Sequence, residues 1–178
     1  ILNPPQKWSG VSLAYLSHGY EIAVTPLQMA TAFNVLASGG FFIRPEIIRD
    51  AGPGAGPVRV LSAASQQRLT EILTAVVSRG TGKQAGIEGM EIAGKTGTAH
   101  KIKMGKYTSS YVSSFGGFFP ARDPQVTVFV MIDEPQGLHF GGDVAAPVFK
   151  TISEKIMLYL KLFPDLPVVV TTVTPTGA

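Results

Sequence analysis

The sequence predicts an α+β domain, an antiparallel sheet flanked by helices. Three strand-like segments, residues 90–100, 111–119 and 126–132, follow one another with connections too short for crossover helices. Apolar residues at helical spacing stand before and after them: Leu69, Ile72, Leu73 and Val76 on one side, Ala145, Val148, Phe149, Ile152, Ile156 and Leu160 on the other. Thr25-Pro26-Leu27-Gln28 is a helix start with its cap, its first-turn proline and its capping-box partner.

Taken in order, residues 1–23 are punctuated by Gly, Ser and Pro and read as loop, with a short strand near 20–24. The helix capped by Thr25 runs to about Ala37 and stops at Gly39-Gly40. Residues 41–50 read as a strand interrupted at Pro45, residues 52–57 as a flexible turn, and 58–61 as a strand pairing back. Ser62 opens a helix ending near Arg79-Gly80, and residues 81–89 leave room for one helical turn. After strand 90–100, residues 101–109 read as a basic polar loop. Gly116-Gly117 mark a close backbone approach or bulge in strand 111–119. The apolar run 126–132 fits a strand buried on both faces. Asp143 is the expected cap of a last helix ending near Phe163-Pro164. Residues 1–164 form one unit with no internal boundary, and 165–178, rich in Val, Thr and Pro, read as a loosely ordered tail.

With 178 residues, 45% of them hydrophobic and 15% charged, the chain can build a core and is not disordered in composition. A net charge of +3 does not make the dense basic face that nucleic acid needs, so no nucleic-acid partner is expected. There is no cysteine, which excludes disulfides and thiolate metal sites. No apolar run is long enough to span a bilayer. The start at Ile1, without an initiator methionine, reads as a piece of something longer.

The chemistry concentrates in Ala93-Gly94-Lys95-Thr96-Gly97-Thr98-Ala99-His100-Lys101. Lys95 offers a point charge with three donors, and Thr96 and Thr98 offer hydroxyls that can hold an anion. Gly94 and Gly97 let another molecule approach the backbone. Such a strand edge can bind a carboxylate and present an N–H to a developing oxyanion, but it contains no general base and is half of a site. Residues 89–96 also fit the phosphate-binding pattern G-x-x-x-x-G-K-[ST]. That loop needs a strand before its first glycine and a helix after Lys-Thr, and neither neighbour has that character here. His18, His100 and His139 lack ligand spacing, so no metal or other cofactor is expected. No Gly-x-Ser-x-Gly elbow is present. Lys101, Lys103 and Lys106 are most simply a solvated hairpin tip, with an acidic partner as the alternative.

Further landmarks occur in a fixed order: Gly19-Tyr20, Val24-Thr25-Pro26-Leu27-Gln28-Met29-Ala30, Ser38-Gly39-Gly40, the Lys95-Thr96-Gly97 stretch, and Phe115-Gly116-Gly117-Phe118. Asp133-Glu134-Pro135 and Gly141-Gly142-Asp143-Val144-Ala145-Ala146-Pro147-Val148-Phe149 complete the series. On these residues the chain resembles the C-terminal half of the transpeptidase domain of a class B penicillin-binding protein, over residues 15–163. The resemblance implies the β-lactamase/transpeptidase-like fold. It also implies a peptidoglycan D,D-transpeptidase that cross-links stem peptides through a serine acyl-enzyme and is acylated by β-lactams. Of the family's three motifs only K-T-G is present; S-x-x-K and S-x-N do not occur, so the nucleophile is expected upstream of Ile1.

Carried over by this resemblance, Lys95 supplies charge, Thr96 and Thr98 hold the substrate carboxylate, the Thr98 N–H is an oxyanion donor, and Gly97 keeps the strand open. His139 and Phe140 stand where the family often places two aromatics beside the cleft, His139 departing from the commoner tyrosine. The implied partners are D-Ala-D-Ala stem peptides, β-lactams, the upstream part of the same domain, and cell-wall synthesis or division proteins. The implied location is the bacterial envelope, outside the cytoplasmic membrane, with an N-terminal anchor absent here. This fragment alone is expected to be inactive. The alternative is a non-catalytic interaction module or pseudoenzyme of the same fold.

Overall fold

The computed structural model describes residues 2–48 and 56–162. Their elements are α1 (Ser12–Ser17), α2 (Pro26–Ala37), β1 (Phe41–Phe42), β2 (Val58–Arg59), α3 (Ala63–Arg79), β3 (Ala93–Lys103), β4 (Lys106–Phe119), β5 (Val126–Asp133), α4 (Gly141–Val144) and α5 (Ala146–Leu160). The sheet has the order β3-β4-β5, and every pairing in it is antiparallel. The α+β expectation therefore holds.

Helix α2 starts where its local chemistry dictates. The Thr25 hydroxyl accepts from Gln28 N–H at 3.2 Å, and the Gln28 side chain accepts from Thr25 N–H at 2.8 Å. Helix α3 is capped the same way by Ser62, which accepts from Ser65 N–H at 3.1 Å. The helices cover both faces of the sheet. On one face Phe115 and Phe119 of β4 pack on Phe149 of α5, with ring centroids 4.7 and 6.2 Å apart. That face forms the main core with Val77, Ile92, Val130, Ala145 and Ala146. On the other face Ala93, Phe118 and Ala121 pack against Leu36 and Ala37 of α2 and Leu73 of α3. Helix α3 thus reaches both clusters, through Leu73 and Val77.

Several sequence expectations need correction. Residues 1–23 hold α1 and an isolated bridge, Leu2 to Ile22, rather than a short strand. Of the strand expected at 41–50 only Phe41–Phe42 pairs, with Val58–Arg59, and Arg49 and Asp50 lie outside the described residues. The central strand begins at Ala93 instead of Met90, which bridges back to Ile87. The basic loop at 101–109 is not a loop. β3 and β4 pair as far as Lys103 and Lys106, leaving a two-residue turn, Met104-Gly105, with φ of 51° and 75°. Two successive positive φ values are what a tight hairpin requires.

β5 is an edge strand of the described sheet, and its Met131 is exposed, so it is not buried on both faces. In α5 the buried face runs through Ala146, Phe149 and Ser153, with Ile156 and Met157 partly buried, while Val148, Ile152 and Leu160 are exposed. Likewise α3 buries Val77 and exposes Leu69 and Ile72. Asp143 does not cap a helix; its carboxylate accepts from Gln84 Nε2 at 3.0 Å. The turn expected at 52–57 lies partly, and the tail 165–178 and the helix end at Phe163-Pro164 wholly, outside the described residues.

Candidate functional site

Lys95, Thr96, Gly97 and Thr98 lie in mid-strand in β3, opposite Gly116, Phe115, Ser114 and Ser113 of β4. Lys95 is therefore not at a helix N-terminus, and the phosphate-loop pattern is a coincidence of sequence. Strand alternation divides the four between the faces. Thr96 and Thr98 share the face of Phe115 and α5, whereas Lys95 and Gly97 share the face where Phe33 crowds Gly116.

Lys95 is exposed, and among the described residues it makes no ion pair. Its ammonium turns back along the strand, donating to the Thr96 carbonyl at 2.9 Å and reaching Thr96 Oγ1 at 3.4 Å. The Thr96 carbonyl therefore points to the outer edge of β3, away from β4. In an antiparallel ladder, residues two apart present their backbone groups to the same side. The N–H of Thr98 consequently faces that outer edge too.

The hydroxyls are held from the other side. Thr96 Oγ1 is hydrogen-bonded to Thr81 Oγ1 at 2.9 Å, either hydroxyl being able to donate, just beyond the end of α3. Thr98 Oγ1 accepts from the Gly141 N–H, the first residue of α4, at 3.0 Å. His139 and Phe140 come just before that contact. The His139 ring stacks on Tyr111 at 4.0 Å and 17°, and Phe140 lies 4.5 Å from His139 and is 58% exposed. The structure thus sets Lys95 to Thr98 along the edge strand β3, while His139 lies over β4 through Tyr111 and Ser113, with Phe140 beside it.

Sequence reasoning missed Thr81, Ser113 and the function of Gly141. Ser113 is fully buried, and its hydroxyl donates to the His139 carbonyl. Thr81 and Ser113 carry no local signal, because their roles arise from register and packing. Gly141 did have one, the Gly-Gly pair opening the last helical segment. It also misread Lys101, which is not at a free hairpin tip. Lys101 Nζ pairs with Asp133 at 2.8 Å and Glu134 at 2.9 Å, and these hydrogen bonds raise its pKa above the ordinary lysine value. The same hydrogen bond, with the charges of Lys101 and Lys103, lowers the Glu134 carboxyl below the ordinary range.

The model for the penicillin binding protein transpeptidase domain matches residues 2–154. The chain is 36% identical to stage V sporulation protein D of Bacillus subtilis, over 85% of this chain and 26% of that protein. It is 35% identical to peptidoglycan D,D-transpeptidase FtsI of Escherichia coli, over 90% of this chain and 28% of that protein. Among solved structures, penicillin-binding protein 3 of Mycobacterium tuberculosis complexed with aztreonam superposes with a TM-score of 0.81 at 33% identity, covering 97% of this chain and 43% of that one. The chain thus spans about a quarter of the length of these two curated relatives.

Proposed function

The chain belongs to the penicillin-binding-protein transpeptidase family, and from that premise we propose that it is the carboxylate-holding half of a peptidoglycan D,D-transpeptidase site. The observation that supports this most is the strand edge itself: a Lys95 cation with no ion pair among the described residues, two hydroxyls and an outward N–H in four consecutive residues. In this reading the Thr96 and Thr98 hydroxyls bind the terminal carboxylate of a D-Ala-D-Ala stem peptide, with Lys95 supplying the positive field. The Thr98 N–H is one of two oxyanion donors. Gly97, having no side chain, leaves the substrate backbone room beside the strand.

The nucleophile is a serine outside this chain, on a Ser-x-x-Lys turn. Its oxygen attacks the carbonyl of the penultimate D-alanine, the terminal D-alanine leaves, and an amine of a neighbouring stem takes the acyl group. A β-lactam is attacked by the same serine through its ring carbonyl. His139 and Phe140 form a partial aromatic wall at the end of the cleft. The complete protein works outside the cytoplasmic membrane, in the bacterial envelope, held by a membrane segment beyond this chain, and alongside other cell-wall synthesis or division proteins.

Intact-mass spectrometry after incubation with a β-lactam tests this. The 178-residue chain alone gains no covalent adduct, because it holds the clamp without the nucleophile. Joined to the segment carrying the serine, in cis or as a separate chain, it supports stoichiometric acylation. An adduct on the chain alone overturns the division of the site. A joined protein that never acylates means that the chain is a non-catalytic module of the same fold.

A further inference from the structure

The loop ahead of α4 is tied to β3 and β4 at two directly opposed residues. Thr98 and Ser113 are register partners, so their side chains rise from the same face of the sheet. Ser113 Oγ donates to the carbonyl of His139, and two residues on, the N–H of Gly141 donates to Thr98 Oγ1 at 3.0 Å. The loop lies directly on the strands between these ties. A Cβ built on Gly141 would stand 2.4 Å from both the Gly97 and Ser114 carbonyl oxygens. Tyr111, two residues before Ser113 on β4, stacks on the His139 ring and holds the loop at its outer side.

A threonine hydroxyl has one proton and two lone pairs. At Thr98 the Gly141 N–H occupies a lone pair, so the bond that anchors this hydroxyl leaves its proton free to donate elsewhere. Thr96 differs: its oxygen meets Thr81 Oγ1 at 2.9 Å, where either oxygen can be the donor, and Lys95 Nζ at 3.4 Å. The hydroxyl of Thr96 is therefore not committed to one direction.

We propose that Ser113 is a positioning residue: by holding the His139 carbonyl it fixes the Gly141 N–H on Thr98 Oγ1 and so keeps the Thr98 hydroxyl a donor toward a bound carboxylate. This rests on the carboxylate-clamp reading of Thr98. Removing the Ser113 hydroxyl frees the His139–Gly141 backbone, and Thr98 can then spend its proton on a neighbouring carbonyl. The loss falls on binding of the anionic ligand. The acylation step is spared, because the missing interaction is made equally before and during it.

The test is a double-mutant cycle, read as the rate of β-lactam acylation in the protein that joins this chain to its serine-bearing segment. Thr98→Val alone probes the clamp, and an unimpaired Thr98→Val protein overturns that reading rather than this one. Given an impaired Thr98→Val, Ser113→Ala in the Thr98 background weakens the acylation efficiency about tenfold, about the worth of one hydrogen bond to a charged group. The loss appears in the ligand concentration needed for half-saturation, with the limiting rate retained. In the Thr98→Val background the further loss from Ser113→Ala is clearly smaller, what remains coming from the His139-Phe140 wall. Equal losses in both backgrounds, or no loss in the first, overturn the proposal. Should Ser113→Ala fail to fold, Tyr111→Leu loosens the same loop from its outer side, and a loss clearly smaller in the Thr98→Val background is required.

Discussion

At Gly141 there is no room for a side chain. The clash a Cβ would make is with two backbone carbonyls, Gly97 and Ser114, which cannot swing aside as a side-chain tip would. Gly141→Ala is therefore expected to lower unfolding free energy by about 1–3 kcal/mol, the usual range for overpacking. Denaturant titration of the purified chain measures it, and an unchanged midpoint would show that the loop does not sit on the strands. Lys95 gives a contrasting case. It is exposed, bonds among the described residues only to its own neighbour Thr96, and carries none of the core. Lys95→Ala should leave the melting temperature within a degree or two while sharply reducing acylation in the joined protein. Stability and acylation both unchanged, or both lost together, would deny Lys95 a purely functional role. Lys95 to Thr98 were legible because the chemistry is contiguous in the chain. Thr81 and Ser113 were not, because each meets the site only after α3 and β4 have been placed beside β3.

Elements whose determinants are local were read closely, and those decided by distant partners were not. The capping box of α2 needs only residues three apart. Its prediction is simple: Thr25→Ala costs about 1 kcal/mol in a denaturant melt, and no cost would mean that the 3.2 Å bond is not formed in solution. The lysine-rich hairpin looked like a loop because nothing in residues 101–109 reveals Asp133 and Glu134, which lie on and just after β5 and neutralise Lys101. Similarly, spacing identified α5 but left its rotation open, and contact of Phe149 with Phe115 and Phe119 settled it.

The Lys101 cluster also has a pH signature. Glu134 has a lowered folded pKa, so its contribution is present above the unfolded value of 4.5 and is lost as pH falls through the folded value. Lys101 is raised above 10.5, so its contribution is present below 10.5 and is lost only as pH climbs through the higher folded value. The melting temperature should therefore drop less steeply below pH 4.5 in Lys101→Met than in the unmodified chain. The difference should be small, since the groups face solvent. Parallel acid limbs would mean that the cluster does not hold β5 to the hairpin.

At the scale of the whole molecule, the described fold leaves large apolar residues in solvent on several elements, α3 among them. Helix α3 turns Leu69 and Ile72 outward, and Ile72 is 52% exposed. A shallow groove there runs past Ile72, Ala75 and Val76 between Arg68 and Arg79. In the complete domain proposed above, this exposed apolar face of α3 is where another layer packs. Of the sequence stripe Leu69, Ile72, Leu73 and Val76, the described fold half-buries Leu73 and Val76 and leaves Leu69 and Ile72 exposed. Leu73 faces this chain's own sheet, and in the proposed complete domain Leu69 and Ile72 face the serine-bearing segment. On that proposal, stability and activity are two readouts of one docking event. The isolated chain should bind an apolar dye such as ANS, and titrating in the serine-bearing segment should quench the dye and raise the melting temperature in the same concentration range in which acylation appears. Ile72→Glu should shift that range to higher concentration with little change in the melting temperature of the chain alone, because the side chain is 52% exposed there. Acylation that appears at unchanged concentration in Ile72→Glu would place the missing layer elsewhere, and the exposed face of α3 would then need another occupant.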